Sequence, residues 1–528
     1  MKLTWAATIL AAAFLFCPPA LAGPIARTDA GVVEGVRDGP LAVYRGIPFA
    51  APPVGDLRWR EPAAPVAWQG VRPAAAFAPA CMQTGVSMPG ETPPQVSEDC
   101  LYLNIWAPAS RGRTDRPVMV WIHGGGLANG SAAMPLYWGD RLARQGVVVV
   151  SIAYRLGPFG FLAHPELTAE SAHASSGNYG LLDQIAALQW VRRNAAAFGG
   201  DPGRVTIFGQ SAGATSISML MASPRAKGLF HRAIGQSGGL FEPIQLAPDY
   251  LLARAERQGV AYGAALGAPS IAALRSRPAA DLLKAPTGSV SHPVIEPYVL
   301  PRPPFDAFAA GAENDVPLLV GSNAEEARSL TDLSGVRTAS FEADLTRRWG
   351  ALPPAIVAAY PHRTDEEARR ARTDLERDLR FGWDAWAWAR LGARRRPVYA
   401  YYFTQTPPFP ADSAHAGWGA GHFAELWYMF DQLGQTPWPW TPADRRLAWA
   451  MSRYWVNFAA TGNPNGPGLP PWPAFVPDDG CMLRLGDPIA PDGVANLRTL
   501  QVFDAVYGQL RGSPPRPLRT VGCSSPGR

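Results

Sequence analysis

Lysine is almost absent from this chain. Its 528 residues hold only Lys2, Lys227 and Lys284, so nearly all of the 48 basic side chains are arginine. The basic groups are scattered, apart from the run Arg394, Arg395 and Arg396, and the formal net charge is +5. A nucleic-acid binder would gather its charge in a stripe or patch, so that class is set aside. Abundant Ala, Gly and Pro beside the arginine bias read as a GC-rich coding composition rather than selection for anion binding. Long apolar runs are also missing: past the first residues, none approaches the ~18 uninterrupted apolar positions of a membrane span, and stable membrane insertion is not expected. Cysteine is scarce, five in all with no CxxC pair, which removes the usual zinc spacing.

What remains is an ordinary globular balance, 47% hydrophobic and 17% charged, with ample material for a large core. The length allows about three average domains or one large α/β domain with insertions. With no break in composition and no internal repeat, one domain over residues 23–528 is expected. The opening MKLTWAATILAAAFLFCPPALA carries one positive charge and a short apolar run, and ends in Ala20-Leu21-Ala22. It reads as a signal peptide over residues 1–22, cleaved after Ala22, and the expected location is secreted or periplasmic. Bulky Phe16 before Cys17 argues against a lipoprotein. The four remaining cysteines, an even number in an exported chain, favour disulfides. Nearest-neighbour pairing gives Cys81–Cys100, which would close a short loop and contribute ~3 kcal/mol; pairing of Cys481 with Cys523 is left open.

Along the chain, GVVEGV and LAVYRGIPFA read as two short strands around the turn Asp38-Gly39-Pro40. Buried-type strands then recur over 118–122, 147–154, 205–208, 233–235, 316–320 and 398–403, with helical periodicity over 181–198 and 212–221 between them. Alternating strands and helices predict an α/β fold with a central, mainly parallel sheet covered by helices on both faces. The helical and irregular segments 240–305 and 330–395 read as insertions that build pocket walls. The Trp- and Pro-rich stretch at Trp438–Pro442 is expected to be a rigid surface loop, and Phe381–Trp388 a packed helix face.

The decisive motif is Gly209-Gln210-Ser211-Ala212-Gly213, a G-x-S-x-G between the strand RVTIF and a helix. A serine on such a turn projects its hydroxyl above the sheet, and the helix N-terminus offers free N–H groups and partial positive charge to an oxyanion. A serine nucleophile needs a base and oxyanion donors. Upstream, the strand VMVWI runs into His123-Gly124-Gly125-Gly126. Consecutive glycines are poor for folding but expose backbone N–H groups to a substrate. These features point to a serine esterase of the α/β-hydrolase type acting on a small-molecule ester.

The chain resembles the type-B carboxylesterase and cholinesterase family over nearly its whole length. The likeness is carried by YRGIPFAAPPVGDLRWR (44–60), SEDCLYLNIWAP (97–108), WIHGGGLANGS (121–131), NYGLLDQIAALQWVRRNAAAFGGDP (178–202) and FGQSAGA (208–214). The resemblance implies Ser211 as nucleophile, with oxyanion donors at Gly125, Gly126 and Ala212, a disulfide Cys81–Cys100, and a supporting Ser237. Its acid belongs to a G-x-x-x-x-E-G pattern, matched by Gly321 to Ala327 with Ala327 in place of the last glycine. That departure leaves Glu325 beside the preferred Glu326. The family histidine matches His422 in GAGHFAELWY. His123 belongs to the glycine turn, and His415 lies in a polar loop without the motif. The implied mechanism uses a Ser211–Glu326–His422 triad and needs no metal or organic cofactor.

Two rival readings carry their own signatures. A cholinesterase would need an aromatic face for a quaternary ammonium. The loop MQTGVSMPGETPPQVSED between Cys81 and Cys100 has no aromatic residue, and Gln210 before the nucleophile is neutral. A non-catalytic, cholinesterase-like binding protein would have lost triad members, whereas all three are present.

Overall fold

The computed structural model describes residues 23–109, 114–477, 480–513 and 523. The expected signal peptide over 1–22 lies outside them. The expected hairpin forms only in part: Val32–Glu34 of GVVEGV pairs with Ile25–Arg27 and Val71–Pro73 in a separate three-stranded sheet, whereas Val36–Asp38 (β1), which takes in Asp38 of the expected turn, pairs antiparallel with Leu41–Pro48 (β2). Main-sheet strands follow at Tyr102–Pro108 (β3), Arg116–Ile122 (β4), Val148–Ile152 (β5), Gly200–Gln210 (β6) and Arg232–Gln236 (β7). The sheet is completed by Leu318–Asn323 (β8), Val398–Phe403 (β9), Cys481–Leu485 (β10) and Ala490–Gly493 (β11). Their spatial order is β1-β2-β3-β5-β4-β6-β7-β8-β9-β10-β11. From β5 to β10 every neighbouring pair is parallel, and the flanks are antiparallel.

The parallel centre is built from near-continuous apolar runs because both of its faces are covered. Strand β4 shows how. Val118, Val120 and Ile122 point into one core with helices Tyr179–Asn194 (α1), Ala212–Ala222 (α2) and Trp383–Gly392 (α3). Met119 and Trp121 point into the other, with helix Pro442–Thr461 (α4). Trp121 is fully buried there, its ring 5.0, 5.0 and 4.9 Å from those of Tyr137, Phe208 and Phe430.

Phe381–Trp388 divides between two roles. Trp383, Trp386 and Trp388 are buried, as a packed helix requires, whereas Phe381 and Asp384 line a cavity. The stretch Trp438–Pro442 exposes Pro439, Thr441 and Pro442 at the surface, as expected of a loop. Its tryptophans turn inward: Trp440 is buried, and the Trp438 ring lies 4.9 Å from Trp427 and 5.0 Å from Phe409. Cys81 is bonded to Cys100 and Cys481 to Cys523. No helix among the described residues is long and apolar enough to cross a membrane.

In an open parallel sheet, ligands gather beyond the carboxyl ends of the strands. Here the segments after β4, β6, β8 and β9 carry the glycine turn, Ser211, Glu326 and His422, and these strands lie within one run of the sheet, interrupted only by β7.

Replacing a large buried aromatic by alanine typically costs about 3–5 kcal/mol. Trp121→Ala should therefore shift the urea midpoint strongly downward, and a loss under about 1 kcal/mol would contradict the packing described here.

Candidate active site

Ser211 occupies the point where β6 turns into α2, with φ +57° and ψ −126°, a region non-glycine residues rarely enter. The turn is locked by contact with β4: a Cβ on Gly213 would lie 2.0 Å from the Ile122 carbonyl oxygen. Glycine is the residue that permits that approach. Ser211 N–H donates to Gln236 O at 2.9 Å, fastening the turn to β7. As the residue capping α2, Ser211 is followed by Ala212, whose N–H lacks an intrahelical acceptor.

The glycine turn approaches from the neighbouring strand. Gly125 has φ +106°, and a Cβ there would lie 2.1 Å from Asn129 O. Gly126, Ser211 and Ala212 line a cavity of about 400 Å³, a volume suited to a small organic ligand. Gly125 directly precedes Gly126 in that turn. His123 is buried against Tyr154, with Nδ1 2.8 Å from Gly124 O, and burial lowers its pKa to about 4. It shapes the turn.

Of the two candidate acids, Glu326 is the one in contact with His422. Glu326 is fully buried, its Oε2 2.6 Å from His422 Nδ1, while its Oε1 accepts Asn323 N–H at 2.7 Å. Glu325 instead accepts Ala420 N–H and pairs with Arg328 at 2.9 Å. His422 is held from three further sides. Its N–H donates to Ser329 Oγ at 2.9 Å, its carbonyl accepts Gln210 Nε2 at 2.6 Å, and its ring stacks on Phe381 at 4.3 Å. Burial lowers the imidazole pKa; Glu326 opposes that shift and the positive charge of Arg380 adds to it.

Ser237 does not support the acid through its side chain as expected. Its hydroxyl is buried without a hydrogen-bond partner among the described residues, and its backbone N–H donates to Gly321 O at 2.8 Å. The hydroxyl on this network is that of Ser329. Three residues to its N-terminal side is Glu326, whose carbonyl accepts from that Oγ at 3.3 Å. His415 is also displaced from its expected setting. It is surrounded by the rings of Phe409, Trp418, Trp427 and Trp438 and lines a different cavity, of about 560 Å³, with part of the first disulfide loop.

Sequence reasoning passed over Glu425, although it stands three residues after His422. It is fully buried; Asn323 Nδ2 donates to its Oε2 at 2.6 Å and Gln236 Nε2 to its Oε1 at 3.2 Å. Burial, then the charge of Glu326, raises its pKa to about 8. At neutral pH the neutral form of Glu425 is favoured. The cavity wall comes from the two insertions: Leu240, Glu242 and Tyr250 from one, Trp349, Leu379, Arg380, Phe381 and Asp384 from the other. Among the described residues, no group of three or more His, Cys, Asp and Glu could hold a metal ion.

A strained serine and the glycine turn thus lie beside one cavity, and the carboxylate-bound imidazole is tied to them through Gln210, the residue before Ser211, and through Phe381 of the cavity wall; a nucleophile, a base and backbone donors are the parts that acyl transfer requires. Comparison with known proteins agrees with that chemistry. The model of the carboxylesterase family matches residues 22–499. The chain is 40% identical over 477 residues to a fumonisin B1 esterase of Sphingopyxis macrogoltabida, covering 85% of this chain and 84% of that protein. It is 36% identical over 467 residues to the para-nitrobenzyl esterase of Bacillus subtilis (strain 168), covering 85% and 92%. A solved PNB esterase structure superposes with a TM-score of 0.78 at 34% identity, covering 91% of this chain and 99% of that one.

The protonation of Glu425 can be read directly. A protonated-carboxyl infrared band that disappears in Glu425→Gln should be present at neutral pH and fade as pH rises through about 8. Its absence at neutral pH would mean that two carboxylates are charged side by side.

Proposed function

Since the chain belongs to the carboxylesterase family, we propose that it cleaves esters through an acyl-enzyme on Ser211, with a Ser211–Glu326–His422 triad, after export from the cytoplasm. Family membership makes it a carboxylic ester hydrolase, and the likeness to solved esterases makes its fold that of the α/β-hydrolases. The observation that carries the triad is the 2.6 Å contact between His422 and Glu326, both buried, one residue beyond the 2.6 Å link from Gln210 to the histidine carbonyl.

In this reading His422 takes the Ser211 proton as Oγ attacks the ester carbonyl carbon. The oxyanion is held by N–H groups of Gly125, Gly126 and Ala212. Glu326 fixes the imidazole tautomer and stabilises the imidazolium, without itself taking the proton. Collapse expels the alcohol, which receives the proton from His422. Water, deprotonated by the same imidazole, then releases the acid. Because Glu425 favours its neutral form, one negative charge faces the imidazolium. The two disulfides support export, since such bonds persist in oxidising compartments. The relatives are named for unlike esters, so the acid and alcohol preferences are set by an ester panel across chain lengths.

Ser211→Ala should reduce nitrophenyl ester hydrolysis to background, and Glu326→Gln should lower kcat by about 10⁴-fold on the pattern of other serine triads. Retained turnover in Ser211→Ala would overturn the assignment. The working base is neutral imidazole, so activity is full above the histidine pKa and lost as pH falls through it. Burial lowers that pKa from 6.5, and the acid limb of kcat/KM should lie below 6.5. A limb at or above that value would contradict the buried setting of His422.

A further inference from the structure

The cavity beside Ser211 carries a cation that the chain leaves unsatisfied. A π-helical turn, Asp378–Gly382, leads into α3, and its wide winding presents Leu379, Arg380 and Phe381 in succession to the cavity. Such turns are rare and recur at functional sites. The guanidinium of Arg380 makes no hydrogen bond to any described residue, and its buried Nη1 has no partner within hydrogen-bonding distance. The nearest carboxylate oxygen, Glu376 Oε2, is 3.8 Å away.

Glu376 has little to offer it. That fully buried carboxylate is already hydrogen-bonded by Arg372 and by Thr331, and Arg348 lies 3.4 Å from it. Three guanidiniums therefore share one anion. Glu326, which also acts electrostatically on Arg380, is committed to His422 and to Asn323 N–H. The Arg380 side chain is held in place by two rings that line the same cavity, Trp349 at 5.5 Å and Phe381 at 5.1 Å. Its side chain retains 27% exposure.

Glu242 and Asp384 also line the cavity; burial raises the pKa of both carboxyls, and the charge of Arg511 opposes that rise in each. His292, also in the wall, is engaged by Gln258 and by Pro293 O. An arginine stays charged throughout this range. Arg380 therefore presents to the cavity a preorganised planar fork, whose geometry matches a carboxylate in bidentate fashion.

We propose that Arg380 is a specificity residue that binds a free carboxylate of the substrate, so that this enzyme prefers esters bearing an anionic group over neutral esters of the same size. This deepens the function proposed above and rests on it: the carboxylate is anchored while Ser211 attacks the ester carbonyl in the same cavity. The anchoring group can belong to the acid or to the alcohol, and the test separates the two.

Two matched pairs serve as probes: 4-nitrophenyl hydrogen glutarate against 4-nitrophenyl pentanoate, and 4-butyryloxybenzoate against phenyl butyrate. The readout is the ratio of kcat/KM for the charged ester to that for the neutral one, which cancels any loss of folded protein within a variant. A charge-assisted hydrogen bond supports a fall in that ratio of about 10- to 100-fold in Arg380→Met, with partial recovery in Arg380→Lys, which keeps the charge but not the fork. The pair in which the ratio falls identifies the side of the substrate that carries the carboxylate. Unchanged ratios in both pairs, with neutral esters still hydrolysed by the wild type and not by Ser211→Ala, would overturn the role of Arg380 and leave the esterase reading intact. Failure of the wild type to hydrolyse any of the four esters would overturn both.

Discussion

The geometry around Ser211 depends on one steric contact, the carbonyl of Ile122 pressed against the turn from β6 into α2. A side chain at Gly213 would collide with that oxygen at 2.0 Å, and one at Gly209 would meet it at 2.6 Å. Because both positions are bare, β4 and the turn can close together. The same contact brings the glycine turn after β4 next to the start of α2. The serine is left at φ +57°, a conformation that costs on the order of 1–3 kcal/mol. The packed sheet on both sides is what makes that strain tolerable.

Around this point the protein manages buried charge by distributing it unevenly. His422, Glu326 and Glu425 are all buried and joined in one hydrogen-bonded network. Were both carboxylates ionised, mutual repulsion and desolvation would act against folding. Asn323 bridges them, its backbone N–H on Glu326 and its side-chain amide on Glu425. Glu425 is pushed up to about 8, first by burial and then by the charge of Glu326, so its neutral form is favoured at neutral pH. Arg380 adds a positive charge on the cavity side. It works against protonation of His422 and so favours the neutral imidazole that can act as a base.

The sheet and the cavity wall follow different rules. The strands obey alternation and burial, and residues 118–122 are apolar throughout because each face has its own core. The wall is made of chain that leaves the sheet and returns, and neighbours there are distant in sequence. Trp349, Phe381 and Tyr507 line one space with Ser211, yet no local periodicity links them.

Much of the site was legible along the chain because its parts are local. The G-x-S-x-G motif, the triple glycine and GAGHFAELWY each encode a turn or short segment whose geometry depends on neighbouring residues, and the strand pattern identified what precedes them. The contest between Glu325 and Glu326 could not be decided that way, since adjacent residues differ only in direction; the fold turns Glu326 inward onto His422 and leaves Glu325 on Arg328. Ser237 was assigned to the acid by likeness, whereas the hydroxyl that reaches the network is that of Ser329, and His415 belongs to an aromatic cluster rather than a polar loop. Pairing of Cys481 with Cys523 likewise needed the fold to bring the two together. The sequence by itself made the G-x-S-x-G turn and the triple glycine legible, because they are short-range features. Only the tertiary structure decided what surrounds the pocket. The charge state of Glu425, and the unmet hydrogen-bonding capacity of Arg380, depend on burial and on partners that are brought near only when the insertions fold back over the sheet.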